Sequence, residues 1–262
     1  MSQSPRLQES PHYPIGVARK LPDPREIVGD RWEEHGHEDC GIIERPSDKW
    51  GKPKPREWSG KKTAKIWFVA SPVPGFEGSF FDFWIFDEFL ISELEDLGFE
   101  VEIIHDQNGG GLIKMLQGEA DYRLVAGHGD EYGGIRATDR FVEWDEIIEN
   151  IGATGILHML SCYSFDAIVE DEEGPYDFVD GIIDSTKVTS AIVCHKMGHH
   201  FPGAVKSTGE SFEISRIMCI LERCIDMGFR EGIESYRTEI TTMLGSGAKP
   251  FTDHEIALGN PN

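Results

Sequence analysis

Between Lys62 and Leu244 the chain alternates short apolar runs with stretches of helical periodicity. Thr63-Ala-Lys-Ile-Trp-Phe-Val-Ala70 is a compact apolar run closed by Ser71-Pro72, the pattern of a buried strand. From Trp84 to Leu97, apolar residues at 85, 86, 89, 90, 94 and 97 share one helical face, and Gly98 supplies the residue that ends such a helix. Phe99–Ile104 alternates and predicts a second strand. A short helix follows over Gly111–Gly118, a third strand over Tyr122–Ala126, a helix over Trp144–Ile151, a fourth strand over Gly155–Leu160 and a fifth over Val188–Cys194. Two more helices, Glu210–Met227 and Phe229–Leu244, are separated by Gly228. Strand–helix alternation of this kind predicts an α/β fold: a mostly parallel sheet with helices on both faces. Ligands of such sheets bind beyond the carboxyl ends of the strands, so the residues that follow strands are the informative ones.

The chain ahead of this pattern is different. Eight of the 14 prolines fall before residue 60, and segments such as Pro22-Asp-Pro24 and Pro53-Lys-Pro55 cannot lie inside helices or central strands. An extended arm is expected over residues 1–62 and a folded domain over 63–262. Charge divides the same way. Residues 1–65 hold 13 basic and 11 acidic side chains, whereas the whole chain of 262 residues holds 25 and 47, for a net charge of -22. The acidity therefore belongs to the domain. It argues against nucleic acid as a partner, because phosphate contacts need basic stripes. No apolar run is long enough for a membrane helix, and MSQSPRLQESPHYP lacks the apolar core of a secretory signal. Five cysteines, unevenly spread, suit a reducing compartment better than a disulfide scaffold. These features predict a cytoplasmic protein without nucleic-acid or membrane partners.

Two predicted strands end in reactive side chains. The third runs into Gly127-His128-Gly129-Asp130 and the fourth into Ser161-Cys162-Tyr163-Ser164. If the strands are neighbours, His128 and Cys162 stand side by side at one sheet edge. A thiol needs a base or cation beside it to act as a nucleophile at neutral pH, and histidine provides one. The small residues around them, Gly129 and Ser161, leave room for a substrate backbone. Amides past a strand end are available to bind a developing oxyanion.

An apolar strand followed by His-Gly, then another followed by a small residue and Cys, resembles the caspase-like (clan CD) cysteine peptidases, which include caspases, metacaspases, gingipains, clostripain and separase. The resemblance covers about residues 63–245 in element order but is residue-specific only at the two strand ends. Ser161-Cys162-Tyr163-Ser164 looks most like the prokaryotic and metacaspase-type site. The resemblance implies a caspase-like three-layer sandwich, with Cys162 as nucleophile, His128 as general acid/base, and the amides of Gly129 and Cys162 as oxyanion hole. It also implies a protein or peptide substrate, an activating or inhibitory protein partner, and a role in regulated proteolysis such as stress or antiviral defence. The spacing of 34 residues between His128 and Cys162 is shorter than the roughly 50 of caspases, and the Gln-Ala-Cys-X-Gly signature is absent.

In the resembling families the loop after the first strand helps to form the specificity pocket. Here it is Ser71–Asp82, with Glu77 and Asp82 but no Arg or Lys. A carboxylate floor would hold a basic side chain, so cleavage after Arg or Lys is expected, with Asp130 and Ser161 as further substrate contacts. Asp82 reads equally well as a helix cap and Glu77 as a solvated side chain. Residues 141–186 contain no Lys or Arg, so an enzyme specific for basic residues could not cut its own linker there. The acidic run Glu170–Glu173 reads first as a solvated loop and second as a calcium site; no other cofactor is expected.

Other clusters suggest less. Cys194-His195 with His199 and His200 could ligate zinc but lacks a second ligand group at regular spacing, and structural histidines are the better reading. His35, His37 and Cys40 in the arm are treated alike. Cys219 and Cys224 read as core thiols. Gly109-Gly-Gly111 could cradle phosphate but lacks the Lys-Ser/Thr pair of a nucleotide loop, so a flexible connection is expected. Two competing functions remain at this level: a catalytically silent or partner-activated interaction module, and a metal-dependent hydrolase built on His195, His199 and His200.

Overall fold

The structure is a computed structural model that describes residues 62–69, 83–171, 174–185, 187–194, 212–245 and 255–259. The expected arm lies outside the described residues except for Lys62. In chain order the elements are β1 (Lys62–Phe68), α1 (Phe83–Asp96), β2 (Phe99–Ile104), α2 (Gly109–Leu116), β3 (Ala120–Ala126), β4 (Gly129–Asp130), β5 (Gly134–Arg136), β6 (Phe141–Val142), α3 (Trp144–Asn150), β7 (Thr154–Leu160), β8 (Ile168–Val169), β9 (Tyr176–Asp177), α4 (Phe178–Asp184), β10 (Val188–Cys194), α5 (Phe212–Met227), α6 (Phe229–Leu244) and β11 (Glu255–Gly259).

The predicted α/β architecture holds. A six-stranded sheet has the order β11-β10-β7-β3-β1-β2, in which the first five strands by chain order pair in parallel and β11 closes the edge antiparallel to β10. Strand alternation builds two cores. Ile66, Phe68, Leu124, Ala126, Ile156 and Leu160 face one way, into a cluster with Leu90 and Leu94 of α1, Ile217 of α5 and Tyr236 of α6. Trp67, Val125, Leu157 and Met159 face the other way, against Leu112 of α2, Trp144 of α3 and Phe178 of α4. Near-continuous apolar strands are what burial on both faces requires. Each fully buried large apolar side chain stabilises the fold by about 1.5–3 kcal/mol relative to exposure.

The two-sided burial also encloses polar groups, several of them partnered within the fold. The Tyr122 hydroxyl meets His158 Nδ1 at 3.0 Å within the sheet. Arg123 is fully buried, and its guanidinium donates to Thr154 Oγ1 at 2.8 Å, to the Met115 carbonyl, and to the Gly118 carbonyl at 2.7 Å. It thereby satisfies carbonyls at the carboxyl end of α2, where a cation is favoured. Burial lowers its pKa to about 10, so it stays charged at neutral pH.

Several boundaries differ from expectation for local reasons. α2 starts at Gly109 rather than Gly111, because Asn108 Oδ1 caps it by accepting the Gly111 N–H at 2.9 Å. A Cβ on Gly111 would fall 1.7 Å from the Asp106 carbonyl oxygen, so the third glycine is a packing requirement and not a flexible link. The Asp139 carboxylate accepts the Gly109 N–H at 2.8 Å, and that bond is the main cause holding its pKa below the usual value. A side chain of the protein thus takes the place a phosphate would need. The bridges β4–β5–β6 and β8–β9, helix α4 and edge strand β11 were not anticipated. The α5–α6 hairpin follows expectation, turning at Gly228 with a left-handed φ of 90°. Among the described residues no helix is long and apolar enough to cross a membrane.

Candidate active site

The β3–β7 ladder decides where the two reactive residues lie. It pairs Leu124 with His158 and Ala126 with Leu160, a constant offset of 34 residues. The Gly127 N–H extends it by donating to the Leu160 carbonyl at 3.2 Å. The paired register ends at Ala126 and Leu160, and His128 and Cys162 each follow two residues past that last pair. Both stand just past the carboxyl ends of central strands. They lie next to the point where chain order reverses between β1 and β3, the usual ligand position of an open α/β sheet.

Cys162 sits at the apex of a tight turn. The Ser164 hydroxyl donates to the Ser161 carbonyl at 2.9 Å, and the Ser164 N–H approaches the same oxygen at 3.4 Å. Tyr163, between them, has φ of 62°, the left-handed region; among the described residues no other non-glycine adopts it. Such a conformation costs about 1–3 kcal/mol and persists where the surroundings dictate it. A sharp strand-to-turn transition of this kind lifts a nucleophile clear of the sheet. Cys162 is half-buried and not in a disulfide. The thiols of Cys219 and Cys224 are buried in the core, and burial pushes the Cys224 pKa up to about 12, so it stays protonated and inert.

His128 is half-buried, and that burial holds its imidazole below the ordinary histidine range. It is neutral at physiological pH, the state needed to accept a proton. Its carbonyl accepts the Arg136 N–H at 2.8 Å, which makes His128 and Arg136 a hydrogen-bonded antiparallel pair. Alternation along that ladder leaves Gly129, opposite Ile135, in a non-hydrogen-bonded position with its N–H turned away from β5. An amide outside the ladder is what an oxyanion donor has to be. Gly129 also has to be glycine: a Cβ there would lie 2.1 Å from the Cys162 carbonyl oxygen and 2.6 Å from Ser161 Oγ. The His-Gly backbone therefore packs directly on the backbone of the Cys162 turn.

The remaining predicted residues fall as follows. Ser161 is fully buried, with its hydroxyl against Gly129 rather than in solvent. Asp130 is exposed, and its Oδ1 accepts the amides of Tyr132 and Gly133 at 3.1 and 2.8 Å, closing its own turn. Trp144 locks that turn from below, its indole N–H donating to the Asp130 carbonyl at 2.9 Å. Neither Trp144 nor Tyr163 was singled out from sequence, since an apolar residue opening a helix and a residue after a cysteine carry no local mark of these roles. Glu77, Asp82, the His195, His199 and His200 cluster, and His35, His37 and Cys40 lie outside the described residues. Among the described residues no group of three or more His, Cys, Asp or Glu side chains is placed to hold a metal ion.

No family model matches this sequence, and no curated protein matches it. Solved structures do match. One is the crystal structure of the Arg-specific cysteine proteinase gingipain R, with a TM-score of 0.46 and 13% identity over 76% of this chain. The chain spans 46% of that structure's length. Another is caspase-1 from Spodoptera frugiperda, with a TM-score of 0.42 and 12% identity, covering 80% of this chain and 94% of that one.

Proposed function

We propose that this protein is a cysteine endopeptidase of the caspase-like clan that cleaves peptide bonds after Arg or Lys. The observation that supports the reading is the β3–β7 register: adjacent central strands lead into His128 and Cys162, each two residues past the last pair, and burial keeps His128 neutral. In the first step His128 accepts the Cys162 thiol proton as sulfur attacks the scissile carbonyl. The developing oxyanion lies near the Gly129 and Cys162 amides. Collapse of the tetrahedral species breaks the C–N bond, and His128 returns its proton to the leaving amine. Water, deprotonated by His128, then hydrolyses the thioester and releases the new carboxylate.

Specificity for a basic residue rests on the acidic loop that follows β1, with Glu77 and Asp82 as the carboxylate floor. The net charge of -22 adds a field that draws in basic segments. The likeness of Ser161-Cys162-Tyr163-Ser164 to prokaryotic and metacaspase-type sites points the activity toward regulated proteolysis.

The test uses fluorogenic peptides ending in Arg, Lys or Asp with the wild-type, Cys162→Ala and His128→Ala proteins. Hydrolysis after Arg and Lys is expected, with losses of about 10²–10⁴-fold or more in each variant. Activity persisting in Cys162→Ala would overturn the mechanism, and a preference for Asp would overturn the pocket.

A further inference from the structure

We propose that Arg136, stacked on Phe141, is a subsite for a carboxylate on the leaving-group side of the scissile bond. The proposal rests on the peptidase reading of Cys162 and His128. Its starting point is an anomaly of charge. The chain has 47 acidic residues against 25 basic ones, and several other arginines find acceptors: Arg140 grips Glu146 through two bonds of 2.6 Å, Arg223 pairs with Glu239, and buried Arg123 donates to Thr154 and to backbone carbonyls. Arg136 does not. Among the described residues no carboxylate pairs with it, and its Nε is shut off from solvent without a hydrogen-bond partner. Its guanidinium lies 5.1 Å from the centre of the Phe141 ring, its cross-strand partner on β6. Such stacking pre-orders the planar fork while leaving its edge for an acceptor.

Position identifies the acceptor. Backbone bonds flank the His128 strand on both sides. Gly127 bonds across to Leu160, toward Cys162, and His128 bonds the opposite way to Arg136. His128 therefore stands between the nucleophile and Arg136. A histidine that protonates the leaving amine faces the departing fragment, so the residues of that fragment continue past His128 toward β5. The guanidinium fork matches a carboxylate bidentately. The source is either an Asp or Glu side chain just after the cleaved bond or the carboxyl terminus of a short substrate. Preferred sequences would then place a basic residue before the bond and a carboxylate after it.

The experiment uses four internally quenched peptides with Arg before the bond. They carry Glu or Gln just after it, each with a free or an amidated carboxyl terminus. The full-length protein is compared with Arg136→Gln and with Arg136→Lys, which keeps the charge without the fork; thermal melts confirm that each variant folds. The expected result is a preference of about tenfold in kcat/KM for one carboxylate source, falling toward one in Arg136→Gln and partly kept in Arg136→Lys. The same peptides are titrated by fluorescence anisotropy against Cys162→Ala with and without Arg136→Gln, and the same discrimination is expected in Kd. An unchanged preference in Arg136→Gln overturns the proposal. Absence of hydrolysis with the binding discrimination intact supports the subsite and overturns the peptidase reading.

Discussion

Replacing Gly129 with alanine adds one methyl group at the contact between the two halves of the site. That methyl would lie 2.1 Å from the Cys162 carbonyl oxygen, 3.2 Å from its carbonyl carbon and 2.6 Å from Ser161 Oγ. Cβ atoms essentially never come closer than 3.0 Å to another heavy atom, so the His-Gly turn and the nucleophile turn must separate by about 0.9 Å. The obstructing atoms are mainly backbone, held by the Ser161–Ser164 turn, and cannot swing aside as a flexible side chain would. Overpacking of this kind costs about 1–3 kcal/mol. For a domain of this size each kcal/mol lowers Tm by roughly 2–4 °C. Catalysis should suffer far more than stability, because a displacement near 1 Å between reacting groups can cost about 10²-fold in rate. Gly127→Ala is the matched control: two residues away, its methyl would meet nothing closer than 3.5 Å. Kinetics with an Arg peptide, run well below both melting temperatures, should show kcat/KM reduced by about 10²-fold in Gly129→Ala and little changed in Gly127→Ala. If Gly129→Ala stays within about twofold of wild type, or if both variants fall equally, the two turns do not set the catalytic geometry.

Four further outcomes are expected. Because burial lowers the His128 pKa, the acidic limb of kcat/KM should lie below the ordinary imidazole value of 6.5, with activity present above it and lost as pH falls through it; a limb at or above that value would refute neutral His128 as the base. The same shift means that the unfolded chain takes up this proton first, so His128 contributes a loss of stability as pH falls from its unfolded toward its folded pKa, which acid-dependent melts of wild type and His128→Gln would reveal. Brief alkylation with iodoacetamide followed by peptide mapping should modify Cys162 well ahead of Cys219 and Cys224, and prior labelling of Cys224 would contradict its burial. Arg123→Met should destabilise the fold by about 3 kcal/mol, read by urea unfolding, since it strands carbonyls at the end of α2 that only the guanidinium reaches; a loss below about 1 kcal/mol would show that water replaces it.

The sheet strands and helices that show in the sequence are those whose periodicity reflects burial. β1, β3, β7 and β10 are apolar on both faces because helices cover both, and α1 and the α5–α6 pair end at glycines that their turns require. The elements that escaped notice are set by partners rather than by pattern. β4, β5 and β6 are two or three residues each, fixed by close approach of Gly129 to the nucleophile turn and of Gly134 to Val142. β11 is a short edge strand whose only mark is its pairing with β10. At the site, His128 and Cys162 were legible because each follows an apolar run. Tyr163 was not, since a left-handed φ on a tyrosine is imposed by the turn around it. Arg136 was invisible for a related reason: what distinguishes it is a stacked guanidinium whose Nε has no hydrogen-bond partner, and only the fold shows which side chains an arginine fails to meet.

The constant offset between β3 and β7 has a consequence for how this site tolerates change. The strands that lead into His128 and Cys162 are joined by rungs of a hydrogen-bond ladder, whatever the number of residues between them. Extra residues placed in the crossover from β6 to β7 would lengthen the path along the chain and leave the chemistry where it is. A single residue inserted within β7 would do the reverse, exchanging the strand's two faces and carrying the thiol out of step with the histidine. Measured along the sequence, the two residues are 34 positions apart; measured across the sheet, they follow the ends of paired neighbouring strands.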